Sequence, residues 1–303
     1  MKQEIVTQIK KLKAEKNAVI LSHYYTPGEV QSIADYVGDS FYLAKAAKSS
    51  NAEIIVFCGV YFMGDSAKIL NPDKKVLMPD ITADCPMAHM VKSGKIAEMR
   101  SKYEDLAVVC YINSSSELKT ESDVCVTSSN ALKIVQSLPN KNIFFIPDKN
   151  LGSYIAEQVT DKNIILNDGC CPIHAAITKA DLLAVKENHK SAKVLSHPEC
   201  NADILEISDY IGSTADIIKY ANLGDDKEFI ICTEDGVDFK LRLDNPNKIF
   251  YYPQKRPCCP DMKLNTLENL LEVLKEEKNE VVLSKEIIEK AAAPLERMLE
   301  MAK

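Results

Sequence analysis

The chain has 303 residues, 46% hydrophobic and 27% charged, with a formal net charge of -7, a composition that suits a soluble globular protein with a sizeable core. The acidic balance and the lack of a long basic run argue against nucleic acid or an anionic membrane as a partner. No apolar run has the length of a transmembrane helix, and residues 1–16 read as a charged amphipathic helix rather than a signal peptide, so a cytoplasmic location is expected.

Beyond that helix, short β-branched runs alternate with helical stretches. Strands are predicted at Ala18–Leu21, Glu53–Phe57 and Lys75–Met78, with helical stretches over Glu29–Ser49 and Met63–Leu70 between them. The order returns with strands at Leu106–Tyr111, Asn142–Ile146 and Asn163–Leu166, then at Lys193–Leu195, Glu228–Ile231 and Lys248–Tyr251. Such alternation predicts parallel strands with right-handed crossovers. The stretch Leu264–Lys303 reads as helical, with Leu267, Leu270, Leu271 and Leu274 forming a core-facing stripe that is expected to pack back as a clasp.

The alternation is a repeat. Cys85, Cys171 and Cys259 are 86 and 88 residues apart, and proline follows each. At an offset of 88 Ser22-His23-Tyr24-Tyr25 falls on Cys110-Tyr111-Ile112-Asn113, and after 86 more on Ser196-His197-Pro198-Glu199. The stretch Ile33–Ser40 overlays Ile207–Thr214, sharing Ile, Asp, Tyr and Gly, and the middle copy keeps Asp123 and Ser128 in register. The expected units lie near 18–91, 106–177 and 193–262, in domains 1–91, 92–177 and 178–262 followed by a helical clasp at 263–303. The expected fold class is α/β: three homologous three-layer α/β/α domains in pseudo-threefold arrangement around a central cavity.

Ligands of open parallel sheets sit beyond the carboxyl ends of the strands. The pairs His23 and Tyr25, Tyr111 and Asn113, and His197 and Glu199 follow the first strand of each unit, and the three cysteines follow the last. Ser40, Ser128 and Thr214 each introduce a helical run. Ser and Thr suit helix caps for structural reasons alone, but their recurrence beside the strand ends points to helix amino termini gathered around anionic groups.

Ten cysteines in a reducing compartment do not suggest disulfides. Cys58, Cys110 and Cys232 lie in apolar runs and read as small buried hydrophobes, while Cys125 and Cys200 fit no single reading. The recurrent cysteines lack the Cys-x-x-Cys clips and fourth ligand of structural zinc sites. Three thiolates on a 4Fe-4S cluster leave one iron open as a Lewis acid, which favours a dehydratase-like enzyme. The alternative is a binding protein with a three-cysteine zinc or structural iron site; zinc would leave the protein colourless.

The combination Ser22-His23-Tyr24-Tyr25, Gly38-Asp39-Ser40, Pro147-Asp148-Lys149-Asn150-Leu151-Gly152, Gly169-x-Cys171-x-x-His174, His197-Pro198-Glu199-Cys200, Gly212-Ser213-Thr214 and Cys259-Pro260-x-Met262 resembles the quinolinate synthase family over essentially the whole chain. The resemblance implies an iron–sulfur enzyme of de novo NAD biosynthesis. Such an enzyme condenses iminoaspartate (iminosuccinate) with dihydroxyacetone phosphate to quinolinate, phosphate and water. It implies one 4Fe-4S cluster per chain on Cys85, Cys171 and Cys259, with the fourth iron open to substrate or water. It also implies functional coupling to L-aspartate oxidase or aspartate dehydrogenase. Only Cys258-Cys259 stands where some members carry a Cys-x-x-Cys-x-x-Cys run, and Asn167 stands where the family often has Trp.

On this reading His23, Ser40, Tyr111, Asn113, Ser128, His197, Glu199 and Thr214 bind substrate, and Glu199 moves protons with Tyr25 and His23 as partners. His174 supports the second cysteine loop, His89 and His189 are ordinary histidines, and Asp148 and Lys149 are turn residues. Register and the following proline select Cys171 over Cys170 and Cys259 over Cys258, since proline biases its predecessor to extended backbone. Cys85→Ala, Cys171→Ala and Cys259→Ala are each expected to abolish a brown chromophore and the activity, whereas Cys170→Ala and Cys258→Ala keep both. Absorbance spectra of anaerobically purified variants check this.

Overall fold

The structure, a computed structural model, describes residues 2–303. The first segment runs α1 (Lys2–Glu15), β1 (Ala18–His23), α2 (Gly28–Gln31), β2 (Tyr36–Gly38), α3 (Ser40–Ser49), β3 (Ile54–Cys58), α4 (Tyr61–Leu70), β4 (Lys75–Leu77). The second repeats it as α5 (Lys95–Lys102), β5 (Leu106–Tyr111), α6 (Ser116–Thr120), β6 (Val124–Val126), α7 (Ala131–Ser137), β7 (Asn142–Ile146), α8 (Lys149–Gln158), β8 (Asn163–Leu166). After the short α9 (Pro172–Ala175) comes α10 (Lys179–Asn188), β9 (Lys193–Ser196), α11 (Ala202–Leu205), β10 (Tyr210–Ile211), α12 (Thr214–Leu223), β11 (Glu228–Cys232), α13 (Val237–Asp244) and β12 (Ile249–Tyr251). The chain ends in α14 (Pro260–Lys263), α15 (Leu267–Glu276) and α16 (Lys285–Met301).

Three four-stranded parallel sheets result, each in the same order: β2-β1-β3-β4, β6-β5-β7-β8 and β10-β9-β11-β12. This α/β architecture of three like-ordered sheets matches the expected three α/β repeats, with one correction. The predicted helical stretch Glu29–Ser49 is two helices with the edge strand β2 between them, so each sheet has four strands rather than three. Residues of β2 and β10 number three and two, too few for an alternating pattern to register. What holds these edges is an aspartate. Asp35 Oδ2 accepts the Ile20 N–H at 2.9 Å while its own N–H donates to Ile20 O at 2.9 Å, and Asp209 makes the equivalent pair with Val194 at 2.8 and 2.9 Å. The strand then turns into the next helix so tightly that a Cβ on Gly38 would lie 2.2 Å from the Tyr42 ring.

On one face of the first sheet, Ile20, Val56, Cys58 and Leu77 pack with Ile9 of α1 and with Leu267, Leu270, Leu271 and Leu274 of α15. The leucine stripe is core, as expected, and full burial of each such side chain stabilises by about 1.5–3 kcal/mol. The third sheet has its own core, in which Val194, Ile230 and Cys232 meet Leu182 of α10 and Ile204 of α11. Among the described residues no helix is long and apolar enough to cross a membrane.

Internal packing divides the chain into two compact units. One comprises residues 2–89, Ile112–Cys125 and Pro260–Lys303; the other comprises Met90–Tyr111 and Val126–Cys259. Helix α6, although it belongs to the second repeat in sequence, is thus part of the first unit, where α16 packs against both α4 and α6. A buried ion pair fastens it: Lys119 Nζ lies 2.7 Å from Asp65 Oδ1, with the two side chains 0% and 1% exposed. Ser116 Oγ donates to Asp65 Oδ2 at 2.6 Å and Lys119 also donates to Phe62 O at 3.3 Å. Burial pushes the Asp65 carboxyl up, and the Lys119 charge and these hydrogen bonds oppose it. Asp65→Leu or Lys119→Met alone strands a charge in the core and is expected to lower stability by about 3–5 kcal/mol, while the double variant recovers most of the loss. Urea unfolding of the three variants measures both effects.

Candidate active site

Each sheet delivers polar groups at its carboxyl edge. After β1, the Tyr25 N–H donates to His23 Nδ1 at 3.2 Å and the Thr26 N–H to His23 O at 3.1 Å. After β9, the Glu199 N–H donates to His197 Nδ1 at 3.3 Å and the Cys200 N–H to His197 O at 3.0 Å. The two histidines therefore sit in the same turn, and an accepting Nδ1 leaves the neutral ring's hydrogen on Nε2. Tyr25 meets the His23 ring edge-on at 4.5 Å, and Lys263 Nζ donates to Tyr25 O at 2.8 Å. Tyr111 ends β5 and is buried.

The cysteine loops are equivalent in structure as well as in sequence. A residue three beyond the end of β3, β7 or β11 donates its N–H to the carbonyl two residues before the cysteine: Tyr61 to Ala83 at 2.8 Å, Lys149 to Gly169 at 2.7 Å, Asp235 to Pro257 at 2.7 Å. Gly169 is required here, since a Cβ would lie 2.6 Å from Pro147 O. Proline then opens a helical turn directly after each cysteine, in the 3-10 turn Pro86–His89, in α9 and in α14. Cys171 is extended, at φ -68° and ψ 117°, as the following proline predicts.

The cysteines sort by burial. Cys58, Cys110, Cys125, Cys200 and Cys232 are buried, whereas Cys85, Cys170, Cys171 and Cys259 are partly exposed and Cys258 is exposed, so burial separates the strand cysteines from the loop cysteines but not the members of the two adjacent pairs. Burial pushes the Cys232 thiol up to about 12 and raises Cys58 and Cys200 strongly, and a protonated thiol is not a metal ligand. The expected burial of Cys58, Cys110 and Cys232 is what the structure shows.

Within the second unit a polar cluster surrounds Cys171. His174 Nδ1 lies 2.8 Å from Glu199 Oε2 and 3.2 Å from Cys171 Sγ, its Nε2 meets Thr233 Oγ1 at 2.9 Å, and its ring stacks on His197 at 4.7 Å. Glu199 is 3% exposed, and its Oε1 has no hydrogen-bond partner among the described residues; Asn113 Oδ1, in the first unit, is likewise buried and unpaired. Burial opposes ionisation of Glu199, but the imidazoles of His197 and His174 and hydrogen bonds from His174 and Tyr111 outweigh it and hold the carboxyl at about 2. Burial holds His197 down, at about 3. Burial and then the Glu199 charge push the Asp148 carboxyl up to about 8. A buried acceptor left open beside a thiol and an imidazole is the donor chemistry a metal group and its substrate require. Cys171, His174 and Glu199 lie close enough together to hold a metal ion. Glu234, Asp235 and Cys258 form a second such grouping, but Asp235 is paired with Arg256 at 3.1 Å.

Some expected residues stand differently. Ser40 and Thr214 do begin α3 and α12, but the caps are Asp39, accepting the Tyr42 N–H at 2.9 Å, and Ser213, in a capping box with Asp216. Ser128 lies ahead of α7, whose N-cap is Asn130. The hydroxyls of Ser40 and Thr214 are thus not spent on capping. His89 is exposed beside Asp84 and His189 stacks on Tyr251. Asp148 caps α8 through Leu151 N–H at 2.8 Å and also accepts the Cys171 N–H at 3.1 Å. The signal that marks it is the repeat: Glu234 stands 86 residues on, also two past a strand end.

Parallel sheets that bring a cysteine loop, paired imidazoles and a buried carboxylate together define an α/β protein with a buried polar site able to hold a metal ion. The family model described as "Quinolinate synthetase A protein" matches residues 7–300. The chain is 54% identical to the quinolinate synthase of Fusobacterium nucleatum over 97% of this chain and 98% of the relative. It is 50% identical to that of Clostridioides difficile over 100% and 99%, and 47% identical to that of Aquifex aeolicus over 99% and 95%. The chain belongs to the quinolinate synthase family.

The reassigned caps give a direct test. Asp39→Ala and Ser213→Ala are each expected to lower stability by about 1 kcal/mol. Ser40→Ala should stay within about 0.5 kcal/mol of wild type; the shift in urea midpoint reads both.

Proposed function

We propose a division of labour for the reaction this family member catalyses, the condensation of iminoaspartate with dihydroxyacetone phosphate to quinolinate, phosphate and water in de novo NAD biosynthesis. Cys85, Cys171 and Cys259 hold a 4Fe-4S cluster. Their support is the shared Cys-Pro turn and the repeated backbone bond two residues earlier. When bound, a cluster with three thiolate ligands supplies an open iron that polarises a departing hydroxyl. The arrangement of the three repeats around one central cavity belongs to this proposal, as do a cytoplasmic location and supply of the imine by L-aspartate oxidase or aspartate dehydrogenase.

The two carboxylates and the phosphate of the substrates need donors. His23 and His197 offer Nε2–H, since their Nδ1 atoms are occupied by the turn. Ser40 and Thr214 offer hydroxyls at the first positions of ten-residue helices whose amino termini favour anions. Tyr111, Asn113 and Ser128 complete the binding set.

The observation that carries the reading is Glu199. Its Oε2 is held by His174 while Oε1 is buried without a partner, and a buried acceptor in that state is open to a hydrogen bond from substrate, the contact along which a proton would move. Tyr25, on the His23 ring, and His23 itself are the partners in proton transfer. His174, touching both Cys171 and Glu199, orients the carboxylate against the thiolate loop. Glu199→Gln is expected to bind substrate and retain the chromophore while losing roughly 10²- to 10⁴-fold in turnover, the usual contribution of a general acid or base. Steady-state quinolinate formation with the variant decides it; turnover near wild type removes Glu199 from the chemistry.

A further inference from the structure

We infer that Asp148 and Glu234 are positioning residues whose carboxyl groups clip the backbone amides of Cys171 and Cys259, and so set how tightly a cluster is held and how hard it is to reduce. The inference rests on the ligand assignment proposed above. The Cys171 N–H donates to Asp148 Oδ2 at 3.1 Å and the Cys259 N–H to Glu234 Oε1 at 2.8 Å. In each case the other oxygen accepts an N–H of the carboxyl residue's own turn, Leu151 at 2.8 Å and Gly236 at 2.7 Å. Each carboxyl therefore bridges the turn after the central strand to the ligand loop. Both are 0–1% exposed, so neither amide has water to fall back on, and an abandoned N–H there is costly.

The two residues occupy one repeat position, two past the ends of β7 and β11. The first repeat has Val60 there, which cannot accept. Its loop finds a substitute in Asp84, whose Oδ1 takes the Cys85 N–H at 2.7 Å. An acceptor for the ligand amide thus appears in all three loops, from two sequence positions. That recurrence argues for a requirement of the cysteine, not of one turn.

Two effects follow. A captured amide fixes the direction in which the cysteine side chain leaves the backbone, which is how groups behind a ligand tune metal affinity. It also withholds a hydrogen from sulfur. Hydrogen bonds to sulfur stabilise the more negative, reduced cluster, so withholding them keeps the potential low, as suits an iron used as a Lewis acid rather than an electron carrier.

The test uses Asp148→Asn and Glu234→Gln in the full chain. Asn caps helices as well as Asp, so its one oxygen stays with Leu151 and its NH₂ faces the Cys171 N–H; in Glu234→Gln one of the two amides must likewise lose its acceptor. Three quantities are read: melting of the iron-free protein, the rate of iron release to bipyridyl under anaerobic conditions, and the reduction midpoint potential. Iron-free melting is expected to stay close to wild type, release to speed up roughly 10- to 100-fold, and the potential to move in the positive direction. Wild-type protein that takes up no iron overturns the ligand assignment and this inference together. Wild-type cluster with unchanged release and potential in both variants overturns this inference alone. Cluster loss that only tracks a fall in iron-free melting overturns it too, by reducing the residues to a structural role.

Discussion

One backbone hydrogen bond, made three times, underlies the arrangement of this molecule. It runs from the residue three past each inner strand to the carbonyl two before each recurrent cysteine. Because both partners are main-chain groups, the bond places no demand on side chains, and the donors are Tyr61, Lys149 and Asp235 while the acceptors belong to Ala83, Gly169 and Pro257. That freedom explains why the repeats keep their register while sharing few residues. It also explains why the cysteine, with a fixed place beyond the strand edge, is what they share.

Two buried carboxylates show how the same expense in desolvation serves different ends. Asp65 is fully satisfied, by Lys119, Ser116 and Ser66, and ties α6 to α4. Glu199 keeps one oxygen open beside His174 and His197. The first arrangement is fully paired; the second keeps an acceptor open. Asp148, close to Glu199, has its carboxyl pushed up by burial and then by the Glu199 charge.

Much of this was legible before the structure. The strands at Leu106–Tyr111, Asn142–Ile146 and Asn163–Leu166 coincide with β5, β7 and β8, because buried parallel strands are continuous apolar runs. The leucine stripe of α15 and the buried Cys58, Cys110 and Cys232 followed from periodicity and composition. The edge strands did not, since Tyr36–Gly38 depends on a side-chain bond from Asp35 that no hydropathy pattern carries. Nor did the caps: Asp39 and Ser213 precede hydroxyl residues that are equally good cap types, and only backbone geometry separates them. Among the polar residues, His174 read as a support of the cysteine loop, which accords with its contact to Cys171, while its contact to Glu199 had no signal in the sequence. The placement of α6 in the first unit has no sequence signal, because it rests on long-range contacts with Asp65 and Phe62 of α4 and with α16.

The first unit is assembled from residues 2–89, Ile112–Cys125 and Pro260–Lys303, and α15 supplies part of the core beneath β1, β3 and β4. Synthesis runs from the amino end, so the ribosome delivers Ile20, Val56 and Leu77 about two hundred residues before the leucines that cover them. Until then that face of the nascent first sheet has Ile9 of α1 against it but not α15. The leucines of α15 that complete this core follow Cys85, Cys171 and Cys259 in the chain, so the three cysteine loops are synthesised before the first sheet is covered.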